Sequence, residues 1–364
     1  MAPRSKDIAR LANVSEATVS LVLNRKPGVK STTREKVLQI ARDLQYEGTQ
    51  RNAFGTRAGS VGFLQIATHG HTLNRDHQVF IADYIDGLTS ASRTFGYNLE
   101  ISSFRGDDTT EISRSILDSD LRGVVALGTE LSAADIAVLG ELRIPVVFLD
   151  TYYDFLPYDF VDMNNADSVY TVIEHLMHHG HTEIGFVRSS VSTHNFYLRD
   201  TGFWDAVRAL GLGIKEENVF TVDSTFDGAY ADMHSALQGR SQLPTAIFCT
   251  NDIIAYGVIK ALRERKIRVP DDISIAAFDD LPTSAVMNPP LTTIRVKKKI
   301  MSELAVQLLS RRIEDSEDVT PVKIQVAGQL VIRSSVKTLG SKHPHSGSCL
   351  AGASPSEGVQ TPIK

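Results

Sequence analysis

Cysteine and tryptophan are scarce in this chain of 364 residues, which holds two of the first and one of the second. Cys249 and Cys349 are far apart, and Cys249 sits in the apolar run AIFCT, where a reduced buried thiol is the ordinary state. A disulfide framework is therefore excluded, and a reducing compartment is expected. No uninterrupted apolar run approaches the roughly eighteen residues that a membrane span requires. The start, MAPRSKD, has no apolar stretch behind its basic residues, so secretion is not expected either and the cytoplasm is the predicted location. Enzyme signatures are also missing: there is no Walker loop, no G-x-G-x-x-G behind a strand, no G-x-S-x-G elbow and no H-E-x-x-H. Neither catalysis nor a cofactor is expected.

What is present is uneven charge. Residues 1–60 carry eleven Lys and Arg against five Asp and Glu, while the rest carries twenty-seven against thirty-eight. The net charge of −5 conceals a basic end, the electrostatic footprint expected of a segment that meets phosphates. That end reads as three short helices. In KDIARLA, residues Ile8, Ala9, Leu11 and Ala12 share one face, and Asn13 tolerates the left-handed turn that follows. Ser15 is a good N-cap for a second helix whose apolar face is Val19, Val22 and Leu23. After the turn RKPGVKS, Thr32 and Glu35 have capping-box spacing, and Val37, Ile40, Ala41 and Leu44 form a third stripe. The short turn between the first two helices has helix-turn-helix spacing.

From Val61 the pattern changes. Short β-rich runs, VGFLQI, NLEISSF, GVVAL, PVVFL, EIGFV, TAIFC and ISIAAF, are separated by helical segments, the βαβ signature of parallel sheets covered on both faces. They fall into two groups, roughly 60–162 and 163–289, which predicts two sheets. Segments 291–315 and 322–336 are candidates for crossing back, one to each half. The fold class is therefore α/β, with a helical headpiece over residues 1–46, a polar linker over 47–60, a two-lobed domain over 61–338, and a Ser-, Gly- and Pro-rich tail over 339–364 that is expected to be disordered.

The runs DIARLANVSEATVSLVLN and VKSTTREKVLQIARDLQY resemble the DNA-binding headpiece of the lactose-repressor (LacI) family of bacterial transcription regulators. GLTSASRTFGYNLEI, EHLMHHGHTEIGFV, RDTGFWDAVRALGL, TNDIIAYG, VPDDISIAAFDD, PPLTTI and GQLVIRSSV resemble, in the same order, segments of that family's effector domain, a two-lobed fold similar to periplasmic sugar-binding proteins. The resemblance covers roughly residues 6–336. It implies a sequence-specific regulator, most simply a homodimeric repressor, with double-stranded operator DNA and a small-molecule effector as partners. A tail without heptads offers nothing to build a tetramer. The competing reading is a sugar-binding protein of a transport system without DNA contact.

Family positions that read bases map onto Glu16, Ala17 and Leu21. A Glu accepts from cytosine, and Ala or Leu covers a thymine methyl. Leu21 stands where Arg is common, so a different operator is expected. Thr18, Ser20, Asn24, Thr33 and Arg34 are assigned to phosphates. The linker EGTQRNAFGTRAGS departs from the family, whose hinge helix inserts a Leu into the minor groove; here Phe54 is the one large apolar candidate for that wedge.

In the effector domain the acidic and amide residues that follow strands converge on one crevice: Asp150 after PVVFL, Asn251 and Asp252 after AIFCT, and Asp279 after ISIAAF. Such groups suit the paired hydroxyls of a sugar. Carried over residue by residue, Asp150, Arg199, Asn251 and Asp279 match family effector contacts, and Phe226 matches an aromatic that lines or stacks on the ligand. A sugar-like effector is expected, with a nucleoside or purine as the alternative because Phe226 can stack on a base. Asp252 reads better as a charge at a helix N-terminus. The loop His69 to Asp76 borders the crevice, with His69, His71 and Asn74 as secondary candidates for tuning ligand choice. His175 and His179, four apart with His181 nearby, have metal-compatible spacing, but they close a helix before Gly180 and fit the family's HLxxxGH pattern; no metal is expected. Lys297 to Lys299 reads as a solvated face or a dimer contact.

Overall fold

The computed structural model describes residues 5–23, 29–44, 59–68, 77–106, 108–315 and 320–339. Helices α1 (Ser5–Ala12), α2 (Glu16–Leu23) and α3 (Ser31–Asp43) form the headpiece. Asn13 takes the left-handed φ of 58° between α1 and α2, and the Thr18 amide donates to Ser15 Oγ at 3.1 Å, the expected N-cap. Ile8, Ala9, Ala12, Val19, Val22, Val37 and Ala41 make a separate small core. Two local expectations fail. Leu11 is half exposed because its position turns it past the face that α2 and α3 cover. The third helix begins at Ser31, so Thr32 and Glu35 lie inside its first turns instead of forming a capping box, and the Arg34 amide already bonds the Lys30 carbonyl at 3.0 Å.

Two six-stranded sheets follow. The first runs in the order β11 (Lys323–Val326), β5 (Asp159–Met163), β4 (Val146–Leu149), β3 (Leu121–Leu127), β1 (Ser60–Ala67), β2 (Asn98–Arg105), all parallel. The second runs β12 (Gln329–Val331), β10 (Thr292–Arg295), β9 (Ser274–Asp279), β8 (Ala246–Cys249), β6 (Ile184–Ser189), β7 (Val219–Val222), with only β12 antiparallel. The central strands are buried on both faces, as continuous apolar runs demand: β3, β4, β8 and β9 expose almost nothing.

The crossings differ in detail from the sequence expectation. β10 stays in the second sheet; the helix Lys298–Glu314 returns to the first lobe and packs on the helix Gln78–Thr94 and on β3, β4 and β5. Then β11 joins the first sheet and β12 the second. Gly87 permits the helix contact, since a Cβ there would lie 2.7 Å from Ser302 Oγ. Arg312 fixes the far end of the returning helix by a two-pronged bond to Asp159, at 2.7 and 2.8 Å. Nor is Lys298 part of a solvated lysine face: it is buried, pairs with Asp83 at 2.9 Å and lies over the Phe80 ring. No described helix is long and apolar enough to cross a membrane.

Candidate functional site: a charged cleft between the lobes and the exposed face of the second helix

Strand ends at the inner edges of both sheets deliver the acidic groups. Asp150 follows β4 with φ 64°, and Asp279 closes β9 with φ 113°. Both are left-handed non-glycine residues, a conformation costing about 1–3 kcal/mol each and concentrated at functional sites. Both are buried. Asp150 accepts from Tyr84 Oη at 2.9 Å and from Thr129 Oγ1 in a very short contact, while its carbonyl accepts from Asn195 Nδ2 at 2.9 Å. From Asn195 the network continues: Asn165 Nδ2 donates to Asn195 Oδ1 at 3.0 Å and to Asp162 Oδ2 at 3.3 Å.

Arg199, on the helix His194–Ala209, gathers the second lobe's side of the network and reaches the first lobe at Met163 Sδ, 3.2 Å from Nη2. Its Nε donates to Asn165 Oδ1 at 3.0 Å, and its Nη1 donates to the Thr250 carbonyl at 3.0 Å. Nη2 lies 3.1 Å from Asp279 Oδ1, and the guanidinium stacks on Phe278 with its carbon 3.8 Å from the ring centre. The fork is aimed at Asn165 and Thr250, so Asp279 Oδ1 has the charge of Arg199 beside it but no well-aligned hydrogen bond. Three buried carboxylates, Asp150, Asp162 and Asp279, thus share the charge of Arg199. Burial pushes Asp150 up to about 6, against the pull of Thr129, Tyr84 and Arg199. Burial also raises Asp162 well above the usual carboxylate range, with Asp150 adding to the shift, and raises Asp279 against the opposing Arg199.

Of the expected effector residues, Asp150, Arg199, Asn251 and Asp279 line one cavity of about 40 Å³ with Phe80, Thr129 and Asn195. Asn251 also caps the helix Asp252–Glu264, accepting from the Ile254 amide at 2.9 Å. Phe226 is the exception. It opens the helix Phe226–Ala236 and packs on the second lobe's own core, 5.3 Å from Lys260 Nζ, so the structure does not bring it to this cavity. Asp252 does more than favour a helix dipole: buried, it accepts from the Leu281 amide, Ser284 Oγ and Thr293 Oγ1 at 2.8, 2.5 and 2.6 Å, and burial lifts it to about 7. The histidines diverge: the His175 and His179 rings meet at 4.2 Å with their planes tilted by 49°, whereas His181 bonds Thr245 and the Lys337 carbonyl. Asn24, Phe54, His69, His71, Asn74 and Cys349 lie outside the described residues.

In the headpiece, Glu16, Ala17 and Ser20 are exposed along one side of α2, with Thr18 and Leu21 half-buried beside them and Thr33 and Arg34 half-buried at the start of α3. Thr18 Oγ1 and Ser15 Oγ are 2.9 Å apart, which steadies the entrance to α2.

Comparison with known proteins decides the family. Residues 6–48 match the family profile described as bacterial regulatory proteins, lacI family, and residues 173–336 match that of a periplasmic binding protein-like domain. The HTH-type transcriptional repressor PurR of Vibrio parahaemolyticus is 30% identical over 339 residues, 92% of this chain and 98% of the relative. This chain belongs to the lacI family of bacterial regulatory proteins. The ribose operon repressor of Haemophilus influenzae is 29% identical over 318 residues, 86% of this chain and 92% of that protein. Among solved structures, the lac repressor dimer bound to operator and the anti-inducer ONPF superposes with a TM-score of 0.67 at 21% identity, covering 93% of this chain and 100% of that one. At that identity the likeness speaks for the fold.

For a lacI-family chain, sequence reasoning missed the residues that connect the acids. Asn165 follows β5 much as Asp150 follows β4, and Asn195 precedes Arg199 by one helical turn. Both signals were present. Asp162 is fully buried with Oδ1 unpartnered among the described residues. Asp162→Asn is expected to stabilise the domain at pH 7.5, because an amide still accepts from Asn165 and carries no penalty for ionising in a buried place. The folded pKa is raised, so the ionised form is penalised above it, and the gain should shrink as pH falls through that value. Paired melts of wild type and variant at pH 5 and 7.5 check this; an equal gain at both pH values would refute it.

Proposed function

We propose that this protein is a DNA-binding transcriptional repressor of the lacI family, acting in the cytoplasm as a homodimer, without catalysis, whose hold on operator DNA is set by a small, sugar-like effector in the interlobe cleft. The observation that carries the reading is the single hydrogen-bonded network in which Asp150 and Asp162 of one lobe meet Asn165, Asn195, Arg199 and Asp279 of the other. A ligand that replaces the bonds from Asn195 to Asp150 or from Asn165 to Asp162 changes the relation of the lobes. The headpieces of a dimer meet two half-sites at fixed spacing, so a change in that relation alters operator affinity. A tenfold change needs only about 1.4 kcal/mol of differential effector binding.

The carboxylates and amides of the cleft support a polyol, as does the relationship to a ribose operon repressor. The nucleoside alternative rested on stacking by Phe226, and Phe226 packs away from the cavity. The transport alternative has no use for a basic helix-turn-helix. In the headpiece, α2 supplies base contacts through Glu16, Ala17 and Leu21, and Thr18, Ser20, Asn24, Thr33 and Arg34 supply phosphate contacts, with Phe54 as the linker's wedge. Operator sites selected from random DNA test these roles. Glu16→Ala should change the preferred base at one position, by about 1–3 kcal/mol of discrimination. Arg34→Ala should weaken every site and lower the salt slope by about 1. If both variants lose affinity uniformly, with preference intact, the assignment of α2 as the reading helix fails.

A further inference from the structure

The inner cavity, at about 40 Å³, has room for a few waters. Beside it, sharing Thr129 and Thr193 as walls, is a groove of about 550 Å³ at the mouth of the cleft. That volume lies within the range of about 300–1,000 Å³ usual for small-molecule sites, so most of the space open to a ligand is outside the charged centre.

The groove has a distinct chemistry. One wall is the loop and helix start after β3, with Glu130, Ser132 and Asp135; the other is the start of the helix His194–Ala209. An aromatic column joins them. Tyr153 of the first lobe and His194 of the second stack at 4.0 Å with 18° between planes, and Tyr197 continues the column at 5.6 Å. Tyr153 is held by its hydroxyl, which donates to the Leu131 carbonyl at 2.9 Å. Tyr197 is 61% exposed and offers a ring with little else upon it. Neither Lys nor Arg lines the groove among the described residues, whereas two carboxylates do. His194 is held towards its neutral form, chiefly by burial. In the inner cavity Arg199 is already committed to Asn165, Thr250 and Asp279.

We infer that the groove of Tyr153, His194 and Tyr197 is an outer subsite for a second sugar ring, so that the effector is an uncharged disaccharide or larger glycoside whose inner ring reaches Asp150, Arg199 and Asp279. The C–H face of a pyranose is apolar and lies against an aromatic ring, while its rim hydroxyls meet Ser, Thr and carboxylate groups. A phosphate ester or nucleotide would bring negative charge to a surface that, among the described residues, holds carboxylates and neither Lys nor Arg. This inference rests on the proposed sugar-like effector and adds its size and charge.

Calorimetric titration of the full chain tests it, with glucose, galactose and ribose, the disaccharides maltose, cellobiose, lactose, sucrose and melibiose, glucose 6-phosphate, and adenosine. The expected result is that one disaccharide binds at least tenfold tighter than any monosaccharide or the phosphate ester. Tyr197→Ala, a change at an exposed side chain, should weaken that disaccharide roughly five- to tenfold and leave monosaccharide affinity within twofold. Asp279→Asn should weaken both. A monosaccharide that binds as tightly as every disaccharide, or a disaccharide indifferent to Tyr197→Ala, overturns the outer subsite while leaving the sugar-like effector standing. Binding of adenosine with no response to any saccharide overturns both.

Discussion

Arg199→Ala is expected to lower the stability of the effector domain by about 3–5 kcal/mol, the usual consequence of leaving buried charge without its partner. Arg199 is 3% exposed and is the cation that Asp150, Asp162 and Asp279 share. Its removal also frees the Thr250 carbonyl and Asn165 Oδ1 and opens a void over Phe278. At roughly 2–4 °C per kcal/mol for a domain of this size, the melting temperature should fall by about 10 °C. Arg199→Lys should not restore it, because a point charge cannot reproduce a planar fork that meets Asn165 and Thr250 while stacking on an aromatic ring.

The pH dependence makes the result specific. The carboxylates around Arg199 have raised folded pKa values, about 6 for Asp150, so their ionised forms are penalised at pH 7.5 and relieved as pH falls through those values. In Arg199→Ala the penalty is larger, and acidification to pH 5 should recover part of the lost stability relative to wild type. Thermal melts at the two pH values read this directly. A variant deficit that is the same at both pH values would show that the loss is packing alone and that the carboxylates do not depend on Arg199.

Deleting residues 1–58 is expected to reduce operator binding to background while effector affinity stays within twofold. Specific binding by such proteins exceeds non-specific binding by about 10³–10⁷-fold, and that whole factor belongs to the headpiece. The core of α1 to α3 draws only on headpiece residues, whereas the two lobes are built on three other clusters, so the truncation removes no side chain from the cleft. Anisotropy with a labelled operator and calorimetry with the effector measure the two outcomes on the same preparations. Retained operator affinity in the truncated chain would place DNA recognition somewhere other than α2 and α3.

Much of this architecture was readable from residue order because period and punctuation agree. Continuous apolar runs such as PVVFL and ISIAAF give central parallel strands, and the residues just after them, Asp150 and Asp279, end up facing a common crevice as the topology of parallel sheets requires. What was not legible depends on contacts distant in sequence. Asn165 comes just after a strand, as Asp150 does, but its 3.0 Å bond with Asn195 shows only once the helices Asn165–His178 and His194–Ala209 pack together. Lys298 sits in a lysine run that suggests a solvated face, and only the returning helix shows it buried against Asp83 and Phe80. Phe226 shows the reverse: aligned with a ligand-contacting aromatic, it is drawn into the second lobe's core beside Lys260, away from the cleft. The start of α3 failed for a local reason, since Thr32 and Ser31 are both acceptable near a helix start and spacing alone does not choose between them.

Control of DNA binding by an effector requires energetic coupling between the Asp150–Arg199–Asp279 cleft and α2. Its most direct test is a two-way titration of the full chain: operator affinity measured with and without the tightest-binding saccharide, and saccharide affinity measured with and without operator. Linkage requires both ratios to be equal, and a coupling of about 1–3 kcal/mol makes each roughly 5- to 150-fold. Equal ratios in that range would support control of the headpiece by the cleft. Two affinities that ignore each other, with both ligands bound, would contradict it.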